Sequence, residues 1–291
     1  MIHDTKLRSI FLMIASMAAF AISDTLVKLA TFSISPAQVL FLLISGAVLV
    51  FAAIAKLQGD RLIDKRAFSP VLILRYLAEI TGMVGMVMAL ATVPISSVGA
   101  ITQASPILAV TGAALFLKED VGWRRWTSIV IGFGGVMLII QPGAIEFDFA
   151  VLWAVLALIG LSIRDLTTRL IPTDMASSSL ATYTMLAALP FTFLWVLFNG
   201  EHLFPAQANA VVILPMILLG AVGYLLLIAS IRIAEVAVVM PFRYSRIIFL
   251  MVLGITVFGE RPNAIMLVGA ALIILSGSYM FWREQQIKQQ H

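Results

Sequence analysis

The chain has 291 residues, of which 61% are hydrophobic and only 12% charged, with a mean hydropathy of +1.05 and a net charge of +4. That balance excludes a soluble globular domain and points to an integral membrane protein. Cysteine is absent, which excludes disulfides and thiolate metal centres, and no soluble basic face exists on which nucleic acid would bind.

Apolar runs of roughly twenty residues, the length of helix that crosses hydrocarbon, follow one another along the chain. They predict ten spans, at 8–28, 36–55, 70–90, 96–117, 126–141, 148–170, 177–199, 211–232, 236–258 and 263–282. The runs are continuously apolar, where barrel strands would alternate. Pro36 opens a helix, Gly59, Asp60 and Pro70 bound a polar loop, and Pro94, Pro142, Pro172 and Pro262 mark turns.

Span one carries Asp24 and Lys28 at i, i+4 spacing near one end, and this pair recurs later. Residues 22–29 read ISDTLVKL and residues 163–170 read IRDLTTRL, so Ile22, Asp24, Lys28 and Leu29 return as Ile163, Asp165, Arg169 and Leu170. The shift is 165 − 24 = 141, and it also carries LKE at 117–119 onto FGE at 258–260. A five-span unit is therefore written twice, as residues 1–145 and 146–291. An odd number of spans per unit turns the second copy over, which gives an all-α membrane protein of ten transmembrane helices in two inverted-topology five-helix repeats.

Charges inside spans are expensive and mark functional positions. Asp24, Lys28, Asp165 and Arg169 fall toward opposite mouths, either as helix-end ion pairs or as gates that close in turn. Span three brings Arg75, Tyr76 and Glu79 together, with Arg75 and Glu79 at i, i+4 spacing. Span four carries Gln103, Ser105 and Pro106 near its middle, and Pro106 removes a backbone hydrogen bond there. Span nine, its partner by the shift, carries Arg243, Tyr244 and Arg246 in the string PFRYSR, and Arg246 lies about 15 Å deep at 1.5 Å per residue. Counted against Glu79, these arginines leave an excess of cations, which either a substrate carboxylate or phosphate neutralises or backbone carbonyls and water satisfy in a structural network. Glu79 is also the expected group for proton exchange. The aromatic residues Phe20, Tyr183, Tyr224 and Tyr244 are either packing residues or platforms for a planar ligand. Spans five and ten hold no internal charge and are rich in small residues, such as Gly132, Gly134 and Gly135 in one and Gly269 and Gly277 in the other, which suits scaffolding at the periphery.

Lys and Arg placement puts both termini inside, because short basic loops stay cytoplasmic. The expected location is a bacterial inner membrane, and the expected partners are the lipid bilayer, a small-molecule substrate and a coupling proton or counter-substrate, in a monomer or homodimer without nucleic acid. Span one is retained rather than cleaved as a signal, since its loss would destroy a repeat. His3, His202 and His291 all fall in tails or a loop, so no span offers a histidine base or an H-E-x-x-H metal site, and no phosphate-binding G-x-x-x-x-G-K-[ST] loop is present. No catalytic residue, metal or cofactor is therefore expected. A membrane enzyme acting on a lipid or metabolite is the alternative, and a channel or receptor a third.

The TQASP string followed by LKE and a glycine-rich span, and the matching PFRY followed by FGE, resemble the drug/metabolite transporter superfamily in its EamA-like branch. The resemblance covers essentially the whole chain and implies a ten-helix bundle around a central cavity, with helices five and ten outside it and alternating access. ISDTLVK, VGWRRW with GFGGVMLIIQP, and PFRY are similar to bacterial carriers for S-adenosylmethionine uptake, while other members of the pattern move amino acids, riboflavin or sugar-like compounds. The resemblance implies a cavity lined by Gln103 and Tyr244 and flanked by Pro106 and Pro241.

Overall fold

A computed structural model describes residues 2–59, 65–116, 123–141, 148–168, 170–171, 175, 177–233 and 239–288. Among them the chain is helical and contains no strand. The helices are α1 (Ile2–Ala30), α2 (Pro36–Gln58), α3 (Pro70–Thr92), α4 (Ile95–Thr102), α5 (Ser105–Phe116), α6 (Trp123–Ile140), α7 (Val151–Thr168), α8 (Ser177–Phe198), α9 (Ala210–Ile233), α10 (Ser245–Phe258) and α11 (Ala264–Lys288). Eight stretches, with α4 and α5 taken together as one, are long and apolar enough to cross a membrane, and two shorter apolar stretches, Trp126–Ile140 and Ala264–Tyr279, lie in α6 and α11.

Local chemistry sets many of the ends. Ser35 caps α2 in a reciprocal box with Gln38, with Pro36 in the first turn, and Gly59 closes the helix in the left-handed conformation at φ 71°. Ser69 accepts from the Leu72 amide before Pro70 opens α3. The fourth span is interrupted just before Pro106, which has no amide to continue the helical ladder: α4 ends at Thr102, and α5 starts at Ser105. At the equivalent place in the ninth span, a 3₁₀ turn over Met240–Tyr244 gives way to α10 at Ser245.

The packing has the symmetry that the repeat predicts. Helix α1 packs on α9 and α3 packs on α7, which are equivalent pairs, while α2 packs on α8 and α6 on α11, each pair equivalent to itself. Two further close pairs, α5 with α7 and α1 with α10, exchange under the same operation. Small residues permit the close crossings. A Cβ on Gly85 would lie 2.8 Å from the Trp153 carbonyl oxygen, and a Cβ on Gly135 or Gly269 would lie 2.7 Å from the carbonyl oxygen of the other. Spans five and ten therefore lean on each other. Large apolar side chains such as Phe11, Leu49 and Val211 stay exposed on the bundle exterior, as a bundle that meets hydrocarbon requires.

Candidate functional site

Seven charged residues of the spans come together between the helices of the bundle. On α3, Arg75 and Glu79 are one turn apart, with Nη2 3.7 Å from Oε2. Across the α3–α7 crossing, Arg164 Nη1 donates to Glu79 Oε1 at 3.2 Å, and the same guanidinium donates to Asp165 Oδ1 from Nε at 3.0 Å and Nη2 at 2.8 Å. Ser105 at the start of α5 donates to the other oxygen of Asp165 at 3.2 Å. Arg75 is fixed further by donating to Thr168 Oγ1 at 3.0 Å and Thr184 Oγ1 at 2.5 Å. Tyr224 of α9 stands within electrostatic reach of Arg75, Glu79 and Arg164, and its ring meets Phe51 edge-on at 5.0 Å between centroids.

A second group forms where α10 faces α1. Arg246 is ion-paired through Nη2 with Asp24 Oδ2, its Nε donates to the same oxygen at 3.2 Å, and the Phe20 ring centroid lies 5.3 Å from the guanidinium carbon. Arg243, in the 3₁₀ turn, is within electrostatic reach of Asp165, Arg164 and Arg246, and its carbonyl accepts from the Gln103 side-chain amide at 2.6 Å. The side chains of Arg164, Asp165 and Arg246 are 22, 24 and 22% exposed. At that exposure the three side chains are not sealed in a dry core, and a charge held between spans is less costly where water reaches it.

Four arginines, at 75, 164, 243 and 246, thus stand with three carboxylates, at 24, 79 and 165, and the described cluster carries one excess positive charge. The cation excess expected from the sequence survives in a smaller form and with different pairing. Arg246 was expected to await a substrate anion, and Asp24 supplies that anion from the protein. Asp24 was expected to pair with Lys28 on its own helix. Lys28 turns instead to the C-terminal carbonyls of α3, donating to Leu90 O at 3.1 Å and Val93 O at 2.6 Å, where the helix dipole favours a cation. Asp165 is held by Arg164, and its expected partner Arg169 lies outside the described residues.

Tyr244 and Tyr76, placed by the sequence among the binding residues, are packed away in this conformation. Tyr244 is 2% exposed and its hydroxyl lies against Gly277 of α11. Tyr76 sits with Leu72, Leu180 and Tyr183 in a small apolar cluster.

Two participants were missed by the sequence. Arg164 follows Ile163 inside the recurring string but has no charged counterpart in the first copy, where Ser23 stands. Glu260, noted only as a repeat landmark, caps α4: its Oε1 accepts from the Ile95 amide at 2.5 Å, and its Oε2 from the Ser96 amide at 3.1 Å and hydroxyl at 2.5 Å. Lys28 lies within electrostatic reach of Glu260 and 5.4 Å from the Phe258 ring centroid. One side chain thus holds the end of α3 and another the start of α4, at the mouth opposite the Asp165 end of α7.

Comparison with known proteins places this geometry in a context. Residues 7–141 and 148–282 each match the EamA-like transporter family. A riboflavin transporter of Vibrio cholerae is 28% identical over 193 residues, covering 65% of this chain and 63% of that protein, so the match spans less than two thirds of the relative's length. An S-adenosylmethionine uptake transporter of Rickettsia bellii is 24% identical over 74% of this chain and 73% of its own. A pseudopaline exporter of Pseudomonas aeruginosa is 23% identical over 95% of this chain and 96% of its own. A solved crystal structure superposes with a TM-score of 0.64 over 96% of this chain and 98% of that one at 13% identity, a likeness of fold alone.

Proposed function

Because the chain belongs to the EamA-like transporter family, we propose that it is a secondary carrier of a small organic metabolite with an anionic or zwitterionic group, working by alternating access in a bacterial inner membrane with both termini cytoplasmic. The observation that carries this is the water-accessible cluster of four arginines and three carboxylates at the centre of the bundle. Its excess positive charge suits a carboxylate or phosphate, and the planar guanidinium fork gives two parallel hydrogen bonds to either. The residues that would meet the substrate are Arg246, Arg243, Arg164, Arg75, Glu79, Ser105 and Gln103.

Relatives named for riboflavin, for S-adenosylmethionine uptake and for pseudopaline export resemble the chain at 28, 24 and 23% identity. Their names cover both directions of transport and very different molecules, so the substrate class is taken from the charge cluster. Lys28 and Glu260 tie helix ends at one mouth and serve as its gate, with Arg169 the matching position in the other copy.

The test is a ligand-stabilisation screen on the purified protein with anionic and zwitterionic metabolites, followed by uptake and exchange in proteoliposomes. Arg246→Ala is expected to weaken binding of a stabilising ligand about a hundredfold, the cost of losing a charged partner in a desolvated site. Equal binding by the variant and the wild type would overturn the central-arginine assignment.

A further inference from the structure

Of the three central carboxylates, Asp24 has the simplest cationic surroundings. Glu79 lies between Arg75 and Arg164, and Asp165 has Arg164, the Ser105 hydroxyl and the field of Arg243. An anion that occupies Arg164 still leaves Glu79 with Arg75. An anion that occupies Arg246 leaves Asp24 with no cation in contact.

Among the described side chains, nothing else packed on α1 replaces that partner. Lys28, one turn along, keeps its ammonium on the Leu90 and Val93 carbonyls beside Glu260. On α9, Tyr224 faces Arg75, Glu79 and Arg164, and the two charges of α3 belong to that same group. In the 3₁₀ turn, Arg243 lies toward Asp165 as well as Arg246. Arg246 itself is half committed. Its Nε and Nη2 share one oxygen of Asp24, Phe20 covers the guanidinium carbon, and Nη1 has no partner among the described residues while the side chain remains accessible to water.

We infer that Asp24 is an internal stand-in for the substrate's anionic group: a substrate carboxylate or phosphate displaces it from Arg246, and the released Asp24 takes a proton from the cavity water. The balance is simple. Ion-paired Asp24 and Arg246, the substrate anion and one proton become neutral Asp24 and a substrate–Arg246 ion pair, so one proton accompanies each substrate bound. The proton is required because a buried carboxylate without a partner is far costlier as the anion than as the acid. Resting on the carrier assignment above, this moves the coupling group from Glu79, where the sequence suggested it, to Asp24.

Two measurements on the full-length protein test it. The first needs no ligand: infrared spectra at neutral pH are recorded for the wild type, Arg246→Ala, and the double variant that adds Asp24→Asn. A protonated-carboxyl band is expected in Arg246→Ala, absent from the wild type and lost again in the double variant. Its absence from Arg246→Ala overturns the proposal.

The second is calorimetric titration with S-adenosylmethionine, glutamate and inorganic phosphate in buffers of different ionisation enthalpy. Wild-type binding is expected to take up about one proton. Asp24→Asn is expected to bind about tenfold more tightly, because its internal competitor is gone, and with no proton uptake. Proton uptake that persists in Asp24→Asn, or binding that weakens, overturns the proposal, and Asp24→Glu, which keeps the carboxylate, controls for a folding defect. If no probe binds the wild type while the infrared band behaves as expected, the substrate class fails and the pairing of Asp24 with Arg246 stands.

Discussion

Asp24 and Asp165 hold equivalent positions in the two repeats and make equivalent contacts: Asp24 meets residue 246, Asp165 meets residue 105, and 246 − 105 equals 165 − 24. The residues at the receiving end differ, arginine in one copy and serine in the other. The missing charge reappears beside Asp165 as Arg164, whose own equivalent is Ser23. In the second repeat Arg164 bonds Glu79 across to α3, and in the first repeat Ser23 packs against Gly220, where a Cβ would lie 3.4 Å from its hydroxyl. Each aspartate therefore keeps one strongly paired arginine, delivered from a different helix. A symmetric fold thus carries an asymmetric charge cluster.

Glu260 makes three bonds to the first turn of α4, from two amides and a hydroxyl. Glu260→Gln is expected to destabilise the protein by about 1–2 kcal/mol, the range for a helix cap that also loses its charge at the positive end of the dipole. Unfolding in detergent, followed by helical circular dichroism, measures it. An unchanged transition would remove this cap from the forces that hold α4.

The crossing of α6 and α11 depends on glycine at Gly135 and Gly269, where an added Cβ meets backbone rather than a side chain that can swing away. Gly135→Ala is expected to cost about 1–3 kcal/mol through overpacking. Gly134→Ala, one residue along on an open face with nothing within 4 Å, is expected to be neutral or slightly stabilising. Equal transition temperatures for the two variants would place the crossing elsewhere.

The helices themselves were legible because hydrocarbon leaves the chain little choice: twenty apolar residues in a row must be helical, and the fourth span is interrupted at Pro106, whereas α8 and α9 continue through Pro190 and Pro215. The pairing of Asp24 with Arg246 was not, because the partners are 222 positions apart. Ranking charges by depth along each helix also put Asp24 at a mouth and Arg246 at the midplane, and that ignores the length of an arginine side chain. Arg164 escaped for a related reason: a search at i, i+4 spacing finds partners on one helix, and its second partner is Glu79 across a crossing. A tyrosine beside two arginines suggests a binding surface, whereas the 3₁₀ turn aims the Tyr244 ring at Gly277 in this conformation. The repeat held one clue that went unused, since the 141-residue shift carries positions 24 and 105 onto positions 165 and 246.

Orientation is open to a direct measurement because the chain is free of cysteine. Phe32, between α1 and α2, and Leu57, at the far end of α2, are 67 and 88% exposed. With both termini cytoplasmic, Phe32→Cys is expected to react with a membrane-impermeant maleimide on intact cells. Leu57→Cys is expected to react only after permeabilisation. The reverse pattern would invert the protein in the membrane, and labelling of both from outside would exclude α2 as a spanning helix.

The relocation of one arginine between the repeats can be tested by repeating it. Arg164→Ser strips Asp165 of its main cation and leaves Glu79 with Arg75 alone, and a cost of about 3–5 kcal/mol is expected for that uncompensated charge. Adding Ser105→Arg places a guanidinium where Arg246 stands in the other copy, opposite Asp165 as Arg246 is opposite Asp24. The double variant is expected to recover part of the stability, by about 1–3 kcal/mol. Ser105→Arg in the wild-type background, where Asp165 is already paired, is expected to destabilise by crowding a further cation beside Arg164 and Arg243. If Ser105→Arg has the same effect in both backgrounds, residues 105 and 164 are not coupled through Asp165, and the two aspartates are alike in position without being alike in chemistry.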